Sequence, residues 1–302
     1  MKILLIGANG QLGHDLQKAL AKHHVLSTAR GASTHEGEDN ARAAIALDVT
    51  HPHEVRTTLN SFAPNVVINC AAFHRVDDIE KDAAQALAVN AQAAHQLALA
   101  CRDANAALMH ISTDYVFDGA KRTPYIESDL PNPISAYGAS KAAGESLIRA
   151  AWTKHYIVRT CGLYGIAGAS GKGGNFVNTM LRLAYSGQPI KVVGDQTCTP
   201  TFTQDLARQL VVLIESGDQA AFGTYHITSV GETTWHDFAS EIFRISRLKP
   251  DLASTTSVAF NAPAKRPAYS VLENRALQLL GINHMRPWQE ALADYLAQKL
   301  AA

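Results

Sequence analysis

The chain has 302 residues, 47% of them apolar, with 27 basic and 27 acidic side chains and a formal net charge of zero. That length suits one large domain or a domain with a smaller partner, and the apolar fraction supports a large buried core. The balanced charge excludes the basic footprint of a nucleic-acid binder or an anionic-membrane binder, and no apolar run is long enough to span a bilayer. The opening MKILLIGANG is too short and too glycine-rich for a signal peptide. Cys70, Cys101, Cys161 and Cys198 are scattered without a CxxC pair, so reduced thiols and a cytoplasmic location are expected. The histidines include the pairs His23/His24 and His51/His53 but no HExxH spacing, so no metal site is expected.

In chain order, KILLI (2–6) is a compact apolar run ending at a glycine, and it predicts the first strand. Leu12, Leu16, Ala19 and Leu20 recur at helical spacing across 11–22. VLST (25–28) and AIALDV (44–49) predict the second and third strands, and a helix runs from Pro52 to about Phe62. NVVINCAA (65–72) predicts a fourth strand, residues 79–103 one long alanine-rich helix, and AALMHIST (106–113) a fifth strand. A helix from Ser135 to Ala151 precedes a sixth strand, HYIVRT (155–160). Mostly apolar strands alternating with helices predict an α/β fold, a doubly wound parallel sheet covered on both faces. After residue 160 the rhythm breaks. Short strands at 190–193, 224–228 and 257–260 mix with helices at 175–186, 203–216, 234–247 and 287–300. The expected division is a dinucleotide-binding Rossmann domain over 1–160 and a smaller α+β substrate-binding part over 161–302, with segments near 195–228 returning to the sheet.

GANGQLG places Gly7, Gly10 and Gly13 directly after the first strand, where a helix begins. One glycine makes the tight turn, one admits a pyrophosphate and one lets the helix pack on the sheet, while helix-start N–H groups, including those of Gln11 and Leu12, favour the phosphates. The spacing is GxxGxxG, and its position between strand and helix points to NAD(P). The ribose reader near the end of the second strand is Arg30, whose guanidinium suits the 2′-phosphate of NADPH; a solvated loop arginine is the plain alternative. Asp48 and Val49 end the third strand beside the expected adenine, and Ala71, Ala72, Phe73 and His74 follow the fourth, over the crevice.

In ISAYGASKAAGE, Tyr137 and Lys141 lie one helical turn apart, and Thr113 ends the fifth strand. Ligands bind beyond the carboxyl ends of such strands, so the three form a candidate proton-transfer site beside a nicotinamide. A neighbouring ammonium would favour the tyrosine phenolate.

At these residues the chain resembles the short-chain dehydrogenase/reductase family, in its extended, sugar-nucleotide branch. The blocks STDYVFDG, YGASKAAGE, GKGGNFVNTMLRLA, DQTCTPTFTQDLA, GTYHIT, TTWHDFA and RPAYSVLEN follow the order seen in the dTDP-4-dehydrorhamnose reductases, over nearly the whole chain. The resemblance implies NADPH-dependent reduction, with NADH as the other candidate cofactor, of the C4 carbonyl of a nucleotide-linked 4-keto-6-deoxy sugar. The leading instance is dTDP-4-dehydro-L-rhamnose giving dTDP-L-rhamnose. It further implies that Tyr137 donates the proton, that Lys141 binds the nicotinamide ribose and holds the tyrosine pKa down, and that Thr113 bonds the developing alkoxide. Related dehydratases carry Thr-Asp-Glu where this chain has Thr113-Asp114-Tyr115, so the eliminating base is missing. Gly162 replaces a tryptophan usual in the family, Arg30 stands where an acid is frequent, and Phe73 stands where histidine is frequent. Asn175 after Gly171, Gly173 and Gly174, together with Gln196, Thr199 and Arg266, are candidates for the sugar-nucleotide cleft, with Arg266 a diphosphate ligand. Trp235 and Trp288 read as core or interface residues, and His226 as a core residue. Two other readings remain: a non-catalytic regulatory subunit of the kind that partners methionine adenosyltransferase, and an epimerase. A homodimer is left open.

Overall fold

The structure, a computed structural model, describes residues 1–31, 44–167 and 174–301. Its first half alternates β1 (Lys2–Ile6), α1 (Gln11–Ala19), β2 (His24–Ala29), β3 (Ile45–Ala46), α2 (Pro52–Phe62), β4 (Val66–Asn69), α3 (Val76–Ile79), α4 (Ala83–Leu87), a π-helical stretch (Ala88–Ala93), α5 (Ala94–Asp103), β5 (Ala107–Thr113), α6 (Ala136–Ala151) and β6 (His155–Thr160). There follow β7 (Leu163–Tyr164), α7 (Phe176–Ser186), β8 (Ile190–Val193), β9 (Thr197–Cys198), β10 (Thr201–Phe202), α8 (Thr203–Glu215), β11 (Gly223–His226), β12 (Thr233–Thr234), α9 (Trp235–Ile245), β13 (Leu252–Thr255), α10 (Ser257–Phe260), α11 (Arg275–Leu279) and α12 (Trp288–Ala301).

Seven strands form one sheet in the order β11-β6-β5-β4-β1-β2-β3, and every pairing in it is parallel. The order reverses between β1 and β4, which opens a crevice at their carboxyl ends. Ile3, Leu5, Leu12, Leu16, Leu206 and Leu210 fill one face beneath α1 and α8. Leu4, Val67, Val55, Leu59, Leu97 and Ile148 fill the other beneath α2, α5 and α6. Alternate residues of β1 thus enter opposite cores, as the period of a strand requires. Each fully buried leucine contributes about 2 kcal/mol. A third cluster, with Tyr164, Val177, Phe202, Phe238, Trp288 and Tyr295, packs the segments after β6.

Three expected elements differ. Residues 79–103 are not one helix: Asp82 caps a new start by accepting from Ala84 N at 3.0 Å, and the π-helical turn follows. That turn carries Asn90, whose Oδ1 accepts from Phe73 N (2.9 Å) and whose Nδ2 donates to Phe73 O (2.8 Å) and Ser140 Oγ (3.0 Å). An extra residue in the turn re-aims one polar side chain without disturbing the alanine pattern. Residues 257–260 are helical, because Thr256 caps them by accepting from Ala259 N at 3.1 Å; the strand lies earlier, at β13, paired with β8. β3 is two residues long, because Asp48 turns the chain by accepting from Thr50 N (2.9 Å) and Thr50 Oγ1 (2.7 Å).

Helix α6 must lie close to its neighbours. A Cβ on Gly138 would overlap Tyr115 O, and one on Gly144 would overlap Asn90 O. Gly144→Ala is therefore expected to lose about 1–3 kcal/mol, read as a lower urea midpoint at unchanged m-value. His226 is fully buried; its Nδ1 donates to Tyr125 O (3.0 Å) and its Nε2 accepts from Arg159 across 3.4 Å. Burial, joined by the Arg159 charge, lowers its pKa from 6.5 to about 3. The unfolded chain then binds the proton first, so stability is fully present above pH 6.5 and falls as pH drops toward 3. The expected loss from this one group is about 1.4 kcal/mol per pH unit, and His226→Gln should flatten the slope of urea stability against pH by that amount.

Candidate active site

β5 delivers Thr113 to the carboxyl edge of the sheet, where the backbone tightens into a single turn over Asp114–Val116. Thr113 Oγ1 accepts from Tyr115 N (3.2 Å) and donates to Asp114 Oδ1 (3.0 Å). α6 starts beside this turn, capped by Ser135 Oγ accepting from Gly138 N at 3.1 Å. Its first turn carries Tyr137, whose ring meets Tyr115 edge-on at 5.8 Å between centroids and whose phenol shares a hydrogen bond with Thr113. One turn on, the buried Lys141 reaches under the site, with Nζ 2.9 Å from His110 Nε2 and donating to Ile111 O at 2.7 Å.

Burial governs the titration of these groups. It pushes the Tyr137 phenol well above its ordinary value, opposed by the Thr113 hydrogen bond and reinforced by the Asp114 charge. It lowers Lys141 to about 8, against the pull of Glu145 and Cys70. The amine spends its contacts on His110 and Ile111, and desolvation of the phenolate dominates. Burial also raises Asp114, although Ser270, Cys161 and Thr113 all hydrogen-bond it; Cys161 Sγ donates to Oδ2 at 3.0 Å.

A cavity of about 370 Å³ brings together Gly10, Gln11, Leu12, Gly13, Ala72, His74, Thr113, Asp114, Tyr115, Tyr137, Lys141, Gly162, Asn175 and Gln196. Gly7, at φ +83°, makes the turn beneath it, with Gly7 N and Ala8 N both donating to Thr28 O at 2.9 Å. Ala71 lies against Gly7, and the backbone of Phe73 is locked by Asn90. Arg30 and Asp48 lie away from the cavity, past the ends of β2 and β3, where the Thr50 hydrogen bonds, and less so the His51 and Arg30 charges, lower the Asp48 carboxyl against its burial. The Val49 side chain is buried in the core, which leaves only its backbone for a ligand. Asn175 is a helix cap: its Oδ1 accepts from Asn178 N at 3.0 Å, and its Nδ2 donates to Gly165 O at 2.9 Å. Gln196 Nε2 donates to Ser257 Oγ at 2.8 Å, and Thr199 Oγ1 donates to Gly231 O at 2.8 Å, buried and outside the cavity lining. Gly171 and Gly173 lie outside the described residues.

Arg266 faces a wider adjoining cleft of about 1140 Å³, which shares Val76, Tyr115, Phe176, Gln196 and Trp235 with the first cavity. Its guanidinium pairs with Asp77 Oδ2 at 2.9 Å and hydrogen-bonds Tyr115. Arg75, Lys191 and Lys265 line the same cleft, and sequence reading passed over all three. Lys265 adjoins Arg266, and Lys191 is the exposed residue within an otherwise apolar strand, so both left a trace. Trp235, expected in the core or at an interface, packs against the third core cluster. In the fold it lines both cavities, and its ring edge comes within 3.3 Å of where a Gly162 Cβ would lie. The missing side chain at position 162 makes room for that ring.

The residues fit a dinucleotide. α1 begins at Gly10 with no side-chain cap and no acid in its first turn, so its leading N–H groups await an anion. A Cβ on Gly13 would overlap Gly7 O and sit 2.7 Å from Ala8 Cα, so the turn tolerates only glycine there. Gln11 Nε2 donates to Leu163 O at 3.2 Å, while its Oε1 is buried without a partner.

Comparison with known proteins agrees with this layout. A curated protein of Streptomyces antibioticus, a probable dTDP-4,6-dihydroxy-2-methyloxan-3-one 4-ketoreductase, is 39% identical, with 100% of this chain and 97% of that protein covered. The dTDP-4-dehydrorhamnose reductase of Streptomyces griseus is 38% identical over 96% of this chain and 91% of its own. The crystal structure of a dTDP-4-dehydrorhamnose reductase from Clostridium acetobutylicum is 41% identical and superposes with a TM-score of 0.89, covering 100% of both chains. That of the Bacillus anthracis reductase, solved in complex with NADP, is 35% identical with a TM-score of 0.88, covering 98% of this chain and 99% of that one. The family model described as the RmlD substrate binding domain matches residues 1–301, and the chain belongs to that family.

Proposed function

We propose that this protein is an NADPH-dependent reductase of a dTDP-linked 4-keto-6-deoxy sugar, with dTDP-4-dehydrorhamnose the leading substrate. One observation carries the reading. The uncapped start of α1, the hydrogen-bonded hydroxyls of Thr113 and Tyr137, and Lys141 all open into one cavity at the carboxyl ends of the parallel strands. Relatives that match nearly end to end are named as reductases of such sugars.

NADPH, when bound, supplies the hydride. The residues of the chain bind, orient and protonate. The helix-start amides and Gln11 would hold the pyrophosphate, and Arg30 with Asp48 the adenosine end. Tyr137 keeps its proton at neutral pH because burial raises it, so it is ready to protonate an oxygen as negative charge develops there. Thr113, bonded to Tyr137, supplies the second hydroxyl for the same oxygen. Tyr115 stands where the related dehydratases carry their glutamate base, and burial raises its phenol, which does not favour a base there. The nucleotide end of the substrate belongs in the wider cleft, where Arg266 and Lys265 can meet a diphosphate, with the Trp235 ring flanking the passage between the two cavities. Such a reductase works in the cytoplasm, where its four free thiols stay reduced.

Tyr137→Phe should lower kcat by about 100- to 10,000-fold while NADPH still binds, seen by fluorescence titration. Full activity in that variant would contradict the assignment. Arg30→Ala should raise KM for NADPH by about 10- to 100-fold and leave KM for NADH unchanged, because only the former carries a 2′-phosphate. Equal effects on both cofactors would remove Arg30 from the role.

A further inference from the structure

Helix α10 adds no buried side chain to the core, yet it is firmly held. Val258 is 87% exposed and Phe260 56%, and none of the four residues is buried. Asp195 pins the start of the helix. Its Oδ1 and Oδ2 accept from Ser257 N at 2.9 and 2.8 Å, and Oδ1 accepts from Ser257 Oγ at 2.7 Å. Ser257 Oγ in turn accepts from Gln196 Nε2, and the Thr256 hydroxyl caps the turn. Asn261 ends it in the left-handed region, at φ +48°. Val258 and Phe260 both line the wider cleft, so they border a concave site and are not apolar residues scattered over a convex surface.

The cleft has an order. Val76, Tyr115, Phe176, Gln196 and Trp235 also line the first cavity, so the reacting sugar enters past them. Arg266 hydrogen-bonds Tyr115 at that junction, and Lys265 adjoins it. Val258, Phe260, Asn261 and Ala262 line the wider cleft but not the first cavity, which places them in its far part. The cleft is lined by four cationic side chains, Arg75, Lys191, Lys265 and Arg266, and by two carboxylates, Asp77 and Asp78. The surplus is two positive charges. In a sugar-linked diphosphate each phosphate carries one negative charge, which matches that surplus. An exposed aromatic ring thus lies beyond an anion site, which itself lies beyond a site for a sugar.

We propose that α10 is a platform for the nucleobase of the substrate: the pyrimidine ring stacks on Phe260, with Val258 beside it, while Arg266 and Lys265 hold the diphosphate. The inference rests on the reductase reading, which supplies the nucleotide-linked sugar. Stacking accepts the face of any base, so Phe260 supplies affinity and leaves the choice of base to polar contacts. The hydrogen bonds from Asp195 through Ser257 to Gln196 tie the platform to a wall of the first cavity. A base seated on Phe260 therefore helps to set how far the sugar reaches toward Thr113 and Tyr137.

Isothermal titration of the full chain, saturated with NADPH so that the start of α1 is occupied, tests this with dTDP and with inorganic pyrophosphate as probes. Phe260→Ser should weaken dTDP by about 5- to 100-fold, the range expected for loss of one base–aromatic stack, and leave pyrophosphate within about twofold. Phe260→Trp keeps an aromatic face and should bind dTDP about as tightly as the wild type. A Phe260→Ser protein that binds dTDP like the wild type overturns the proposal. Equal weakening of dTDP and pyrophosphate also overturns it, because the ring would then act through the shape of the cleft. Light scattering on the same samples covers the remaining occupant: a dimer that Phe260→Ser dissociates, with dTDP affinity unchanged, would make this face a contact between copies and overturn the proposal. A wild type that binds neither dTDP nor pyrophosphate strikes the reductase reading and the platform together, whereas failure of the platform alone leaves wild-type dTDP binding intact.

Discussion

The buried carboxylate of Glu145 is the contact on which the site depends. It accepts from Ser112 Oγ (2.6 Å) on β5, from Arg159 Nε (3.0 Å) and Nη2 (2.7 Å) on β6, and from Arg149 (2.8 Å) one turn further along α6. Removing one partner of such a buried, multiply bonded pair costs about 3–5 kcal/mol, because the other charge is left without compensation. The network fixes the height and rotation of α6 over β5 and β6. Lys141 is one turn from Glu145 and Tyr137 is two, so both inherit their places from it. Gly144 and Gly138 allow the approach, against Asn90 O and Tyr115 O. Asn90 then carries the same constraint to the loop after β4. Strand ends, helix and cofactor-side loop are therefore one mechanical unit.

Beside that buried ion pair, burial pushes the ionisable groups at the cavity toward their neutral forms. Tyr137, Tyr115, Asp114 and Cys70 are raised, while Lys141 and His110 are lowered. A pocket of this kind retains the protons of its acids, which suits the step that converts a carbonyl to an alcohol. The wider cleft is charged instead: Arg75, Lys191, Lys265 and Arg266 line it, with Asp77 and Asp78 paired to its two arginines. The two cavities meet at Trp235, which lines both.

Much of this was legible in the sequence, for identifiable reasons. Apolar strands bounded by glycine or by turns carry their own signal, so all seven sheet strands were located, although the third proved far shorter. The meeting of Thr113, Tyr137 and Lys141 in one cavity followed from a strand end and an (i, i+4) pair. What escaped depends on contacts distant in sequence. The π-helical turn at Ala88–Ala93 hides in an alanine run because its purpose is Asn90's bonds to Phe73 and Ser140. The strand expected at 257–260 is a helix because one threonine hydroxyl caps it. Trp235 packs on the third core cluster and also lines both cavities, beside position 162, which has no side chain. The spacing shows that Lys141 is near Tyr137, but not that its amine also bonds His110 and Ile111.

The central claim is that this cavity reduces a nucleotide-linked keto sugar with NADPH. The most direct test is to incubate the purified protein with NADPH and dTDP-4-dehydrorhamnose, following the reduced-nicotinamide absorbance and the sugar product together. The account predicts equimolar NADPH oxidation and dTDP-rhamnose formation, faster than with NADH. Tight NADPH binding with no oxidation, on this sugar or on other dTDP-4-keto-6-deoxy sugars, would contradict it.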